Sequence, residues 1–306
     1  MNPPSPPSTA APVAHDDTLV VRCWGTRGSI PTPGPGTVRY GGNTSCVEVR
    51  VGDRRLVFDA GTGIRPLGLD LVREGPDRLD VFLTHFHWDH IQGFPFFAPL
   101  YDGEDAIRVM GPKQEGIDVR SLFAGQMGPI YFPVPYSFVA ARMTFDEVGP
   151  EPCRVGSFEI SSMRVRHPSH TVGYRIEHEG RVVCFVPDNE LEGARDTSEQ
   201  AFWSRMVTFV EGADLLIHDA MYTRDEYPKR RGWGHSTFDQ TLRLAEEAGV
   251  RRLLFTHHDP TRDDDALDLI TDLMRERSAS RGGPELGSAR EGEAYRIEPR
   301  TTPLTE

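Results

Sequence analysis

A chain of 306 residues, 38% hydrophobic and 26% charged, can bury a sizeable core and has the ordinary composition of a globular protein. Its formal net charge of −12 disfavours a long nucleic acid held by many phosphate contacts. A small anionic partner stays compatible, because bound metal ions reverse the local sign of the field. No apolar run approaches the roughly 18 residues of a membrane span, so no membrane partner is expected. The start Met1-Asn2-Pro3-Pro4 lacks the charged and apolar regions of a signal peptide. The cysteines Cys23, Cys46, Cys153 and Cys184 are far apart, with no CxxC pair, and read as reduced. A cytoplasmic protein is therefore expected.

Residues 1–17, rich in Pro, Ser and Ala, are expected to form a disordered tail that includes His15. A single domain is expected over 18–298, with a frayed end at 299–306. Order begins at Thr18-Leu19-Val20-Val21-Arg22-Cys23-Trp24, a β-type run, and the Pro- and Gly-rich stretch from Pro31 to Gly42 reads as a long loop. Cys46 to Val51 and Arg55 to Phe58 alternate across Gly52-Asp53 as a hairpin. Phe58 then runs into Asp59-Ala60-Gly61-Thr62-Gly63, a tight βα turn without the Lys-Ser/Thr of a phosphate loop.

The apolar run Leu79 to Leu83 leads into His85-Phe86-His87-Trp88-Asp89-His90. His85 and His87 are two apart in extended chain and point the same way. Asp89 and His90 sit where the chain turns into a helix start at Ile91. Imidazole and carboxylate at this spacing suit zinc, manganese or iron. Further on, Phe94 to Tyr101 should be core, Ile107 to Met110 a strand and residues 114–126 a short helix. The aromatic, breaker-rich stretch Gly128 to Tyr136 reads equally as a packed loop or a lid.

The second half alternates strands with helices. Strand patterns at Phe158–Val165, Arg181–Val186, Leu215–Ile217 and Leu253–Phe255 lead into His167-Pro168-Ser169-His170, Asp188, His218 and His257, with a further strand at Val172–Ile176. One helix should run from an N-cap at Ser236 to a stop at Gly249, and another from Asp263 to about Ser278. Residues 282–290 read as loose, with a last strand at Ala294–Ile297. Since the carboxyl ends of α/β strands share one edge, His85, His87, Asp89, His90, His170, Asp188 and His257 can converge as ligands for two metals if Asp188 bridges.

His-x-His-x-Asp-His, then a lone His, an Asp after a strand and a His after a strand, resembles the metallo-β-lactamase fold superfamily from about Val21 to Ile297. The resemblance implies an α/β fold, a four-layer αβ/βα sandwich with its site at one edge of two sheets. It places one metal on His85, His87 and His170 and the other on Asp89, His90 and His257, bridged by Asp188. Two divalent ions are implied, zinc first, with manganese or iron as alternatives. Asp rather than Cys at the bridge resembles the phosphodiesterase branch. Gly232-Trp233-Gly234-His235-Ser236-Thr237 is similar to a segment of tRNase Z and cyclic-nucleotide phosphodiesterases, so His235 would serve the scissile phosphate, with Asp89 as the other catalytic residue. Asp219 stands where tRNase Z has a Glu that supports this histidine, and the shorter side chain reduces its reach. Asp59 would orient a ligand imidazole.

tRNase Z itself fits less well, since the span from His170 to Asp188 is barely a hairpin and leaves no room for a basic tRNA-gripping arm. The implied activity is hydrolysis of a small anionic phosphodiester, such as a 3′,5′-cyclic nucleotide, by metal-hydroxide attack on phosphorus, with no long nucleic acid as partner. Alternatives are hydrolysis of a carboxylic ester, lactone or thioester, a tRNA 3′-processing endoribonuclease, a non-catalytic nucleotide-binding protein, and a di-iron redox protein. Substrate contacts would come from Asn43, Thr44 and His258, or from Tyr131, Phe132, Tyr222 and Trp233 stacking on a base. His178, at a turn, should be solvated, and His167 and His218 should support the site from behind. A homodimer is expected from the resemblance alone.

Overall fold

The computed structural model describes residues 17–75, 78–102, 106–192 and 197–299. The expected tail, apart from Asp17, and the C-terminal residues 300–306 lie outside them, as does His15. The strands are β1 (Leu19–Gly25), β2 (Cys46–Val51), β3 (Arg54–Phe58), β4 (Arg78–Phe82), β5 (Ala106–Pro112), β6 (Met143–Val148), β7 (Cys153–Val155), β8 (Phe158–Arg164), β9 (Val172–His178), β10 (Arg181–Val186), β11 (Leu215–Asp219), β12 (Arg252–Thr256), β13 (Glu285–Ser288) and β14 (Ala294–Ile297). The helices are α1 (Ile64–Glu74), α2 (Trp88–Ile91), α3 (Val119–Gln126), α4 (Tyr136–Val139), α5 (Thr197–Val210), α6 (Phe238–Glu247) and α7 (Asp264–Ser280).

Two seven-stranded sheets form, in the orders β14-β1-β2-β3-β4-β5-β6 and β13-β12-β11-β10-β9-β8-β7. Residues alternating inward from both sheets make the central core, where Phe58 stacks on Phe82 at 5.2 Å and meets Tyr174 at 5.3 Å and Phe185 at 6.1 Å. The outer face of the first sheet is covered by α1 and α3, through Leu67, Leu71 and Phe123. That of the second is covered by α5, α6 and α7, through Met206, Leu242 and Leu267. The result is the expected four-layer αβ/βα sandwich, in which a sheet buried on both faces reads as continuous apolar runs such as Val182 to Val186.

Within each sheet a run of parallel strands fixes where side chains converge. β3 to β6 are parallel to one another, as are β10 to β13. The two sheets are tied just beneath the carboxyl end of β4. The Tyr174 hydroxyl donates to the Leu83 carbonyl at 2.6 Å, and the Val172 N–H donates to the Thr84 carbonyl at 3.0 Å.

Some elements differ from expectation. Residues 285–288 are not loose but form β13, which pairs with β12 alone at the sheet edge. β6, β7 and α5 are further additions. The N-cap of α6 is Thr237 rather than Ser236, in a capping box with Gln240. His178 is not solvated: its side chain is buried at the end of β9 against Phe158. All four cysteines lie in strands and are free. No helix is long and apolar enough to cross a membrane among the described residues.

The aromatic centre carries the prediction for this architecture. Phe58→Ala should destabilise the fold by about 3–5 kcal/mol, read as a lowered midpoint in denaturant unfolding with an unchanged slope.

Candidate metal centre

Each element ends where a ligand-type side chain is needed. β4 stops before Thr84, and the extended chain carries His85 and His87 before α2 begins at Trp88 and turns Asp89 and His90 inward. β10 ends at Val186, two residues before Asp188, and β12 ends at Thr256, one residue before His257. His257 takes a left-handed backbone (φ 59°), a conformation unfavourable for a residue with a Cβ that here re-aims the imidazole at the site. Its ring packs where a Cβ on residue 28 would stand 2.3 Å from Nδ1, so only glycine fits at Gly28.

Three groups of ligand-type atoms result: His85, His87, His167 and Asp188; Asp89, His90 and His257; and Asp188, His235 and His257. Asp188 lies between the first two. Its Oδ2 is 3.7 Å from His85 Nε2 and 3.5 Å from His167 Nε2, while its Oδ1 is 3.1 Å from His90 Nε2 and 3.2 Å from His257 Nε2. Asp89 Oδ2 is 3.0 Å from His257 Nε2 and 3.3 Å from His90 Nε2, and accepts the Ser29 N–H at 2.8 Å.

This cluster fits a pair of cations. His85 Nε2, His90 Nε2 and Asp188 Oδ1 are buried without a hydrogen-bond partner, which is costly unless something else binds them. His87 Nδ1 and His167 Nε2 face each other at 2.9 Å, where two lone pairs would repel unless they share a proton or a cation. The outer nitrogens of His85, His90 and His167 are committed elsewhere, which leaves their lone pairs turned inward. His90 Nδ1 donates to Asp59 at 2.7 Å, and His167 Nδ1 donates to the Gly234 carbonyl at 3.1 Å. The Asp59 carboxylate also accepts from the Thr84 N–H at 2.8 Å and the Ser45 hydroxyl at 2.9 Å, which fixes the carboxylate beside His90.

Electrostatics follow from burial and crowding. Burial would raise the Asp188 carboxyl, but His257, His90 and His85 hold it well below the usual carboxylate range. Burial, reinforced by His90, pushes His85 well below the usual imidazole value. His235 behaves in the opposite sense. Burial would lower it, yet the Asp219 carboxylate, 2.8 Å from Nδ1, lifts it to about 9. The shorter Asp therefore does reach, because the N–H groups of Asn189 and Met221 hold it at 3.1 and 3.0 Å beside the His235 loop.

The expected third histidine is corrected. His170 is in none of the three groups, and His167 stands there in its place. The Val165 N–H bonds the Thr171 carbonyl and closes the β8–β9 loop, while the His170 carbonyl accepts from Gln114. His218 lies within β11 with its ring hydrogen-bonded to Asn189, and it is in none of the three groups. Three of the residues expected to hold substrate are engaged with other groups. Asn43 Nδ2 donates to Glu291, the Thr44 hydroxyl binds the Thr62 N–H, and buried His258 binds the Ala289 carbonyl. Of the stretch 128–136, Phe132 packs on Phe96 while Ile130 and Tyr131 are exposed.

Two residues gave no sequence signal. Ser29 steadies Asp89, and Glu190 accepts from the Gly232 and Gly234 N–H groups and the Tyr227 hydroxyl, pinning the loop that carries His235. A left-handed Gly234 (φ 87°) lets that loop pass His167, where a Cβ would come within 2.3 Å of Nδ1. A pocket of about 410 Å³ opens over the cluster. These placements predict that His167→Ala will lower the metal retained after dialysis, measured by atomic emission, while His170→Ala retains it.

Comparison with known proteins agrees with this geometry. Residues 54–258 match the family model described as Beta-lactamase superfamily domain. A Ribonuclease Z of Halobacterium salinarum is 26% identical over 282 residues, covering 78% of this chain and 87% of the relative. The metallo-beta-lactamase fold protein YhfI of Bacillus subtilis superposes with a TM-score of 0.67 at 23% identity, covering 92% of this chain and all of that one. Human tRNase Z, short form, superposes at 0.61 with 20% identity, covering 91% and 99%. These relatives overturn the expectation that no long nucleic acid is a partner. Net charge is a sum over the whole surface, and says little about the field at a site that gathers cations. With a matching family model over most of the chain, and a His/Asp cluster suited to two metal ions, the protein belongs to the Beta-lactamase superfamily domain family and is a metal-dependent hydrolase of the metallo-β-lactamase fold.

Proposed function

We propose that this hydrolase is a phosphodiesterase that holds two divalent cations and splits a phosphodiester at the floor of the pocket. The observation that carries the reading is the division of Asp188, with Oδ2 turned to His85 and His167 and Oδ1 to His90 and His257. His85, His87, His167 and Asp188 would hold one cation, and Asp188, Asp89, His90 and His257 the other, with zinc the expected metal and manganese or iron the alternatives. Cations at these two positions would supply an activated water and polarise the phosphoryl oxygen. Asp89, fixed by the Ser29 N–H, aligns the reacting groups. His235, oriented by Asp219 through Nδ1, keeps Nε2 free to give a proton to the departing ester oxygen. A cytoplasmic setting belongs to this reading, supported by the four free cysteines.

The finer form of the proposal is a 3′,5′-cyclic nucleotide as substrate. A second reading, RNA cleavage, is favoured by the names of the relatives, Ribonuclease Z and tRNase Z. Metal-loaded protein should be incubated with cyclic nucleotides, a tRNA precursor carrying a 3′ trailer, and acyl esters, and the products identified by mass. A phosphomonoester product that requires Asp188 is expected, and the substrate that yields it chooses between the two readings. Activity confined to acyl esters would overturn the proposal. His235→Ala should lose roughly 10²–10⁴ in turnover with both metals retained, and unchanged turnover would remove His235 from proton transfer.

A further inference from the structure

The floor of the pocket over the metal centre is polar throughout, but one wall is not. Phe86 and Trp88, which alternate with His85, His87 and Asp89, line the same space. Phe86 is half-buried and packs against the core under the first sheet. Trp88 is different. Its backbone is fixed at the first residue of α2, where its carbonyl accepts the Gln92 N–H at 2.7 Å, yet its side chain is 62% exposed. Tryptophan is among the residues with most to gain from burial, and it has no ring or cation partner among the described residues. Trp233, 54% exposed, lies within the His235 loop but already carries the Arg230 guanidinium over its ring at 4.6 Å. Trp88 thus presents a flat, unoccupied π-face immediately beside the groups that would hold a phosphate.

We infer that Phe86 and Trp88 form the subsite for a nucleobase on the nucleotide whose phosphate sits at the metal centre. The inference rests on the phosphodiesterase reading and narrows it to nucleotidyl esters, whether cyclic or part of a chain. A pocket of about 410 Å³ lies toward the small end of small-ligand sites, roughly 300–1,000 Å³, and has space for one nucleoside phosphate. A base stacked on the indole would be anchored by its face, which every base offers, so the subsite selects for an aromatic ring rather than for one sequence.

The test is calorimetric titration of metal-loaded protein with thymidine 5′-monophosphate and, separately, with ribose 5-phosphate, which lacks the ring. Trp88→Ala should weaken the nucleotide roughly tenfold while shifting ribose 5-phosphate less than twofold, and Trp88→Phe should restore most of the loss. Equal weakening of both ligands, or of neither, would overturn the subsite and leave the phosphodiesterase reading standing if phosphodiesters are still cleaved. If neither ligand binds the unaltered protein and no phosphodiester is cleaved, both readings fall. A Trp88→Ala protein with unchanged nucleotide affinity but a smaller mass in sedimentation would instead assign the indole to contact with a second copy of the chain.

Discussion

The buried carboxylate of Asp188 is the constraint around which this molecule is arranged. A lone carboxylate at this depth would take up a proton or destabilise the fold by several kcal/mol. Four histidines from three stretches of the chain surround it instead, with their outer nitrogens turned toward Asp59, Thr84 and the Gly234 carbonyl or packed against Gly28. That arrangement demands that the carboxyl ends of β4, β10 and β12 meet at one point. Two sheets with parallel segments, packed face to face, satisfy the demand. Much of the backbone irregularity is concentrated here, including the left-handed Asp59 and His257, and it is tolerated because hydrogen bonds and packing over-determine each position.

Around that centre a second tier of polar groups sets direction. Asp219 aims His235, and Glu190 pins the glycine-rich loop that brings His235 to Asp219. The Ser236 hydroxyl donates to the Asn189 carbonyl and accepts the Leu191 N–H, which fastens the same loop to the chain leaving β10. Three loops are therefore held as one unit, and a shift in any of them would move the imidazole that faces the pocket.

The layered fold and most of the cluster were legible in the sequence, because periodic apolar runs and strand-end His and Asp residues are local signals. His85, His87, Asp89, His90, Asp188 and His257 all lie within three residues of an element boundary, where topology determines position. His167 and His170 were not separable in this way. Both follow β8, and the choice between them is made by the Val165–Thr171 closure, a contact invisible in spacing. β13 was missed because Glu285-Leu286-Gly287-Ser288 is too short to show alternation and owes its extension to β12. Asn43, Thr44 and His258 offered the right chemistry for a ligand, but distant partners such as Glu291 and Ala289 claim them. Net charge misled in a similar way, since a whole-chain sum carries no information about one face.

The division of labour between the two sheets has a further consequence. His85, His87, Asp89 and His90 all issue from the first sheet, whereas His167, Asp188 and His257 issue from the second. A cation bound by members of both sets would be a cross-link between layers that are otherwise joined by packing, hydrogen bonds and ion pairs such as Arg27–Asp264 and Arg39–Asp268. Occupancy then becomes a term in the folding equilibrium, growing with the logarithm of free metal concentration. A chelator would loosen the sandwich at this edge first, so metal supply in the cell would govern how long the protein survives as well as what it can do.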